Sequence, residues 1–189
     1  MSSASPGEDG ARWPRFLITL SDRADRAIGI ACRLIVFSIG TAVLVILTSN
    51  VFARYLLAAG GFRFAQELPE RLFPFFIMAG VVLAVQKGGH LAVETLPGLL
   101  GREGRRVLAL FGFAVVIISY VVLAWQALIV ADMSWIDLSP ILRMPVSYGY
   151  FALALGCLGV AITTATIAVR VAIIGPEAIP AADPEEQPT

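Results

Sequence analysis

Charge is scarce in this chain: Asp, Glu, Lys and Arg make up 15% of its 189 residues, against roughly 25% in soluble domains. Histidine occurs once, at His90, and cysteine twice, at Cys32 and Cys157. One imidazole excludes bis-histidine haem and leaves a zinc site short of ligands, so a structural hydrogen bond is the expected role of His90. The two thiols fall on different apolar stretches and read as small buried fillers, not as a disulfide. No GxxxxGK[ST] phosphate loop, HExxH or paired CxxC occurs. ATP hydrolysis, zinc proteolysis and thiol redox chemistry therefore lack their residues. No nucleophile stands with a base either. The chain is not expected to be an enzyme, and no catalytic residue, cofactor, metal or nucleic-acid partner is assigned.

Apolar residues are plentiful: 58% of the chain is hydrophobic and the mean hydropathy is +0.81. They gather in four continuous runs, each able to cross a bilayer as a helix, and runs such as VLALFGFAVVIISYVVLAW do not alternate as barrel strands would. The expected fold is an all-α integral membrane protein with four transmembrane helices over 28–53, 68–87, 107–131 and 148–174. Cationic residues are uneven: Arg12, Arg15, Arg23, Arg26, Arg33, Lys87, Arg102, Arg105, Arg106 and Arg170 flank one set of span ends, and Arg54, Arg63, Arg71 and Arg143 the other. Because Lys and Arg near span ends resist translocation, both termini are expected in the cytoplasm. Loops then fall outside at 54–67 and 132–147 and inside at 88–106, with an N-terminal segment over 1–27 and a disordered tail over 175–189, four of whose residues are acidic and four proline.

The run from Phe64 to Glu94 has an uncharged centre, with Glu67, Glu70 and Arg71 at one end and Lys87 and His90 at the other. The 20 residues from Leu68 to Lys87 cover roughly 30 Å as a helix, the thickness of a hydrocarbon core. Acids in a first turn suit the helix dipole, Glu67 and Arg71 are spaced to pair, and Pro74 leaves the Glu70 carbonyl without its helical donor. At the outer end of span one, Asn50 carries an amide that lipid cannot satisfy, and interhelical hydrogen bonding is the usual supply. Arg54 beside it can snorkel to the interface.

Small and polar residues draw seams along the later spans. Gly80 lies inside span two; Gly112, Ser119 and Gln126 recur every seven residues on span three; Ala152, Gly156, Gly159 and Thr163 follow spacings of 4, 3 and 4 on span four. Such faces let helix backbones approach closely. Two segments can lie in the headgroup plane as interfacial helices. One holds Trp13, Phe16, Leu17 and Leu20 before span one, where an extension of the span is the alternative; the other is the apolar middle loop, where Lys87, Arg102, Arg105 and Arg106 can reach anionic lipid. No charge stands at the bilayer midplane, where carriers commonly hold one. The chain thus reads as a partner subunit.

An ordered set of residues resembles the small membrane subunit of tripartite ATP-independent periplasmic (TRAP) transporters, the DctQ family. The set comprises Asn50 with Arg54-Tyr55, Glu67-Leu68, Gly80, Lys87 with Gly89-His90-Leu91, Ser139-Pro140, Leu142 and Pro145, then Tyr148 and Gly156, and spans about Arg33 to Val171. Gln66 stands where the family often has a second acid, and Glu94 where it often has Asp. The resemblance implies a multi-pass protein of the bacterial inner membrane. Its partners would be a large permease subunit, a periplasmic substrate-binding protein and membrane lipid, in sodium-gradient-driven uptake of an organic acid or similar solute. It further implies that Asn50, Arg54, Glu67, Arg71 and His90 position span ends or the partner interface and bind no substrate. The reading from another class is a stand-alone four-helix membrane protein, a homo-oligomeric small carrier or an anchor, associating through the span-four seam.

Overall fold

A computed structural model describes residues 12–56, 61–87 and 101–175, with side chains from Ile18 onward. Four helices account for almost all of them: α1 (Arg12–Leu56), α2 (Phe64–Gln86), α3 (Arg102–Met133) and α4 (Ser147–Ile174). All four are long and apolar enough to cross a membrane. The sole β feature among the described residues is an isolated bridge between Leu138 and Pro145.

Helix α1 runs unbroken from Arg12 through 45 residues, about 68 Å at 1.5 Å per residue. The segment before span one is thus continuous with it, and no proline interrupts the chain between Arg15 and Leu56. Helix α3 likewise takes in Arg102, Arg105 and Arg106, ahead of the expected start at 107. Helix α2 begins at Phe64, so both Pro69 and Pro74 lie inside it. The Pro74 ring is received by Gly149 of α4, whose missing Cβ would stand 3.5 Å from the proline Cγ. Helix α4 ends where Gly175 takes φ 114°, a conformation that glycine adopts without a Cβ penalty.

The helices form an antiparallel bundle in which α4 touches all three others and α3 packs on α4. Cys32 of α1, Ala79, Val82 and Val85 of α2 and Val160 of α4 make the first core cluster. Ala109 and Phe113 of α3 with Ile167 and Val171 of α4 make the second. Across the buried apolar residues as a whole alanine is the commonest, because lipid is as apolar as the core, and close backbone approach supplies the contact energy that water exclusion cannot. Both cysteines are buried and unpaired. The bundle has a termini end, where α1 starts and α4 stops, and a loop end, where α1 stops, α2 starts and the 134–146 connection lies.

Candidate functional site

The polar side chains expected at the span ends act as staples between segments of this chain. At the loop end the Glu67 carboxylate accepts the Ser139 hydroxyl at 2.7 Å, the Leu142 N–H at 2.9 Å and the Ile141 N–H at 3.0 Å. Two successive backbone donors and a hydroxyl converging on one carboxylate form an anion cradle. The turn that supplies them is tight: Ser139 N–H donates to the Met144 carbonyl, Arg143 N–H to that of Ser139 and Val146 N–H to that of Asp137. Arg143 closes it at φ 53°, uncommon for a residue with a Cβ. Partial burial pushes the Glu67 carboxyl up, but the Ser139, Leu142 and Ile141 donors and the Arg71 guanidinium outweigh it and hold it below the usual carboxylate range.

Glu67 and Arg71 form no direct ion pair among the described residues, contrary to their i,i+4 spacing, because the loop-end turn captures the carboxylate. Arg71 instead lines a cavity of about 790 Å³ between α2 and α4, walled by Pro74, Met78, Gly149, Tyr150 and Leu153, and its Nε has no hydrogen-bond partner there. Asn50 does not reach another helix. Its Oδ1 accepts the Phe62 N–H at 2.7 Å and so fixes the entry to α2. Arg54 is exposed, and His90 lies outside the described residues.

A second staple, at the termini end, escaped the sequence reading. Arg170 Nη2 of α4 stands 2.7 Å from Asp25 Oδ2 and 2.8 Å from Asp22 Oδ1 of α1. The Thr166 hydroxyl donates to Asp25 Oδ1 at 2.8 Å, and Gln86 Nε2 of α2 donates to the Asp25 carbonyl at 2.9 Å. Three helices meet on one aspartate. The available signal was Arg170 within an otherwise uncharged span and two acids, Asp22 and Asp25, three apart on a segment otherwise rich in arginine. Beside it Arg106 donates to the Ala172 carbonyl, so this guanidinium ties α3 to α4 in addition to any lipid it meets; Arg105 and Lys87 are exposed.

The seams divide. Ala152, Gly156 and Thr163 are buried in the bundle. A Cβ on Gly156 would stand 2.4 Å from the Met78 Cβ, and one on Gly159 3.0 Å from a Val82 methyl. The span-four seam is therefore covered by α2 and is not a free surface for self-association. Apart from their own helix backbone and chain neighbours, Gly80 and Gly112 have no atom of the described residues within 4 Å of a Cβ position, and Ser119 and Gln126 are exposed. Helix α3 turns Ala109, Phe113, Ala124, Ala127 and Ala131 inward instead, because alanines allow the close approach and an amide does not. The seven-residue polar repeat marks its outer face.

Fold and staples together define a four-helix membrane subunit whose polar groups chiefly order its own loops and helix ends. The chain belongs to the family of DctQ components of tripartite ATP-independent periplasmic transporters, whose sequence profile matches residues 43–173. It is thereby a small-subunit component of a transporter, a multi-pass protein of the inner membrane. Systems of this family are tripartite, working with a large permease and a binding protein. A similar protein is the uncharacterized protein y4mM of Sinorhizobium fredii (strain NBRC 101917 / NGR234), 45% identical over 162 residues, which are 85% of this chain and 30% of that one. The chain thus spans under a third of that relative's length.

Proposed function

We propose that this chain is the fixed scaffold of a sodium-gradient-driven, binding-protein-dependent uptake system for an organic acid or similar solute. Its own large permease subunit would hold the substrate and ion sites and move against it. The observation that carries this reading is the pair of staples, Glu67 on the Ser139–Leu142 turn and Asp25 with Arg170 and Gln86. They fasten both ends of the bundle and suit a part that stays still. About 70% of y4mM lies beyond the matched stretch, the room that a fused large subunit would need.

Both termini are read as cytoplasmic from the arginine distribution. Asn50, Glu67 and Arg71 then shape the outer rim that the large subunit meets. Ser119 and Gln126, exposed on α3, would be left unsatisfied by lipid and offer hydrogen bonds to a partner helix. The stand-alone homo-oligomer loses its expected surface, since α2 covers the span-four seam.

Affinity purification of the tagged chain from native membranes in mild detergent, with mass spectrometry, tests the reading. A many-span permease recovered in equal amount is expected. Proteoliposomes holding both chains, supplied with the binding protein, should accumulate solute when a sodium gradient is imposed. Recovery of the chain alone, or only with copies of itself, would sink the proposal.

A further inference from the structure

We propose that the cavity between α1 and α2 at the termini end is a binding site for a phosphate group, carried by an anionic phospholipid or free in solution. Its volume is about 540 Å³, and its lining includes Asp25, Arg26, Arg33, Gln86, Lys87 and Arg170. Four of its residues are cationic and one is a carboxylate. The carboxylate does not neutralise the others. Asp25 is engaged by Arg170 at 2.7 Å and by the Thr166 hydroxyl at 2.8 Å, and Asp22 takes the same guanidinium at 2.8 Å. Arg170 is held through Nη2 by both aspartates, while its buried Nε has no partner among the described residues, and it serves as a fixed floor.

Arg26, Arg33 and Lys87 remain. None of the three makes a side-chain hydrogen bond or ion pair within this chain among the described residues. Arg26 and Arg33 are seven residues apart on α1, two turns or about 10 Å along one face, and Lys87 faces them from the end of α2. Three like charges around one cavity repel unless an anion sits among them. Guanidinium forks match phosphate oxygens in pairs and an ammonium adds a point charge. The walls are held to shape without the ligand, because Gln86 donates to the Asp25 carbonyl and lies 2.7 Å from where a Gly29 Cβ would be. Leu83 completes the lining with an apolar side, which suits a headgroup whose chains continue into the membrane.

Thermal unfolding of the purified full-length chain in non-ionic detergent tests the site, titrated with dioctanoyl phosphatidylglycerol, with dioctanoylglycerol that lacks the phosphate, and with inorganic phosphate. Phosphatidylglycerol should raise the midpoint and dioctanoylglycerol should not. Arg33→Gln should weaken the apparent affinity about tenfold, the loss of one charge-assisted pair. Arg26→Gln/Arg33→Gln/Lys87→Gln should abolish the shift, and Arg63→Gln at the far end should leave it intact. Should the triple variant fail to fold, Arg33→Gln/Lys87→Gln against the charge-keeping Arg33→Lys gives the same contrast. A variant-sensitive response to inorganic phosphate assigns the free anion; one confined to phosphatidylglycerol assigns the lipid. An equal response in wild type and the charge-neutral variants, an equal response to dioctanoylglycerol, or no response in wild type overturns the proposal.

Discussion

Replacing Gly156 by alanine adds one methyl group where α4 meets α2. The new Cβ would stand 2.4 Å from Met78 Cβ, 2.5 Å from its Cε and 2.9 Å from its Cγ. Carbon atoms attract best at about 3.5–4.0 Å and repel steeply inside that range. The Met78 Cε and Cγ can rotate away; its Cβ is fixed to the α2 backbone, so the two helices must part by about 1 Å. Overpacking of this kind costs about 1–3 kcal/mol, and alanine returns at most about 1 kcal/mol of helix propensity. From the middle of the overpacking range the net loss is about 1 kcal/mol, a melting midpoint lower by about 2–4 °C for a chain of this size. The assay is thermal unfolding in detergent, with Gly112→Ala as the control, since, its own helix backbone and chain neighbours apart, no atom of the described residues lies within 4 Å of that Cβ position. Gly112→Ala should melt at or slightly above wild type. Adding Met78→Gly to Gly156→Ala removes the opposing Cβ, and the double variant should be more stable than the two single losses predict by addition. If Gly156→Ala melts as high as Gly112→Ala, α4 and α2 are not in contact along this seam.

Other expectations follow from the staples. Trp135 packs near Tyr148 and Phe151, so its fluorescence, in a background where Trp13 and Trp125 are phenylalanine, reports the loop-end turn. A carboxyl held below its ordinary value stabilises above that value and loses the contribution as pH falls through the lowered one. The Trp135 signal should therefore stay constant from neutral pH down to about pH 4 and change below it; in Glu67→Gln it should already be shifted at neutral pH. The same acid transition in both proteins would show that Glu67 does not hold the turn. Arg170→Met leaves Asp22 and Asp25 without their cation. It should cost about 2–3 kcal/mol, below the figure for a fully buried pair, because the side chains retain 27% and 17% exposure. Asp25→Asn added to it should recover part of the lost melting temperature; no recovery would mean that Arg170 acts through packing alone. Asn50→Ala should cost about 0.5–1.5 kcal/mol and speed hydrogen exchange at the Phe62 amide, while Asn50→Asp, which keeps the acceptor, should not.

Much of the fold was legible because lipid imposes a simple rule: a long uncharged run must be a helix, and four such runs stand between charged ends. The DctQ resemblance was legible because Glu67, Ser139-Pro140 and Leu142 stand in the order and at the spacing that carry it. What the sequence did not disclose is that these residues need one another. Glu67 reads locally as a helix-start acid with Arg71 four residues on, and nothing nearby in the chain says that its partners lie 72 to 75 residues away. Asp25 and Arg170 were hidden in the same way: each looks like an end-of-span charge until α1 and α4 are set side by side. The polar repeat on α3 was legible as a face, but not as to which way the face turns. Periodicity finds a face, and only the neighbours decide whether the face looks in or out; alanines made the inward one.

The span of those staples along the chain bears on how the subunit is made. Asp25 emerges from the ribosome 145 residues before Arg170, which at 5–20 residues per second is roughly 7–30 s of synthesis. During that interval α1 and α2 have entered the membrane with an aspartate awaiting its cation and a Glu67 awaiting its turn. Neither hairpin is complete by itself. The turn that precedes α4 fastens the loop end, and α4 itself then fastens the termini end through Arg170. A product stalled before residue 134 would carry three unanswered carboxylates, Asp22, Asp25 and Glu67, all of which are engaged in the folded chain.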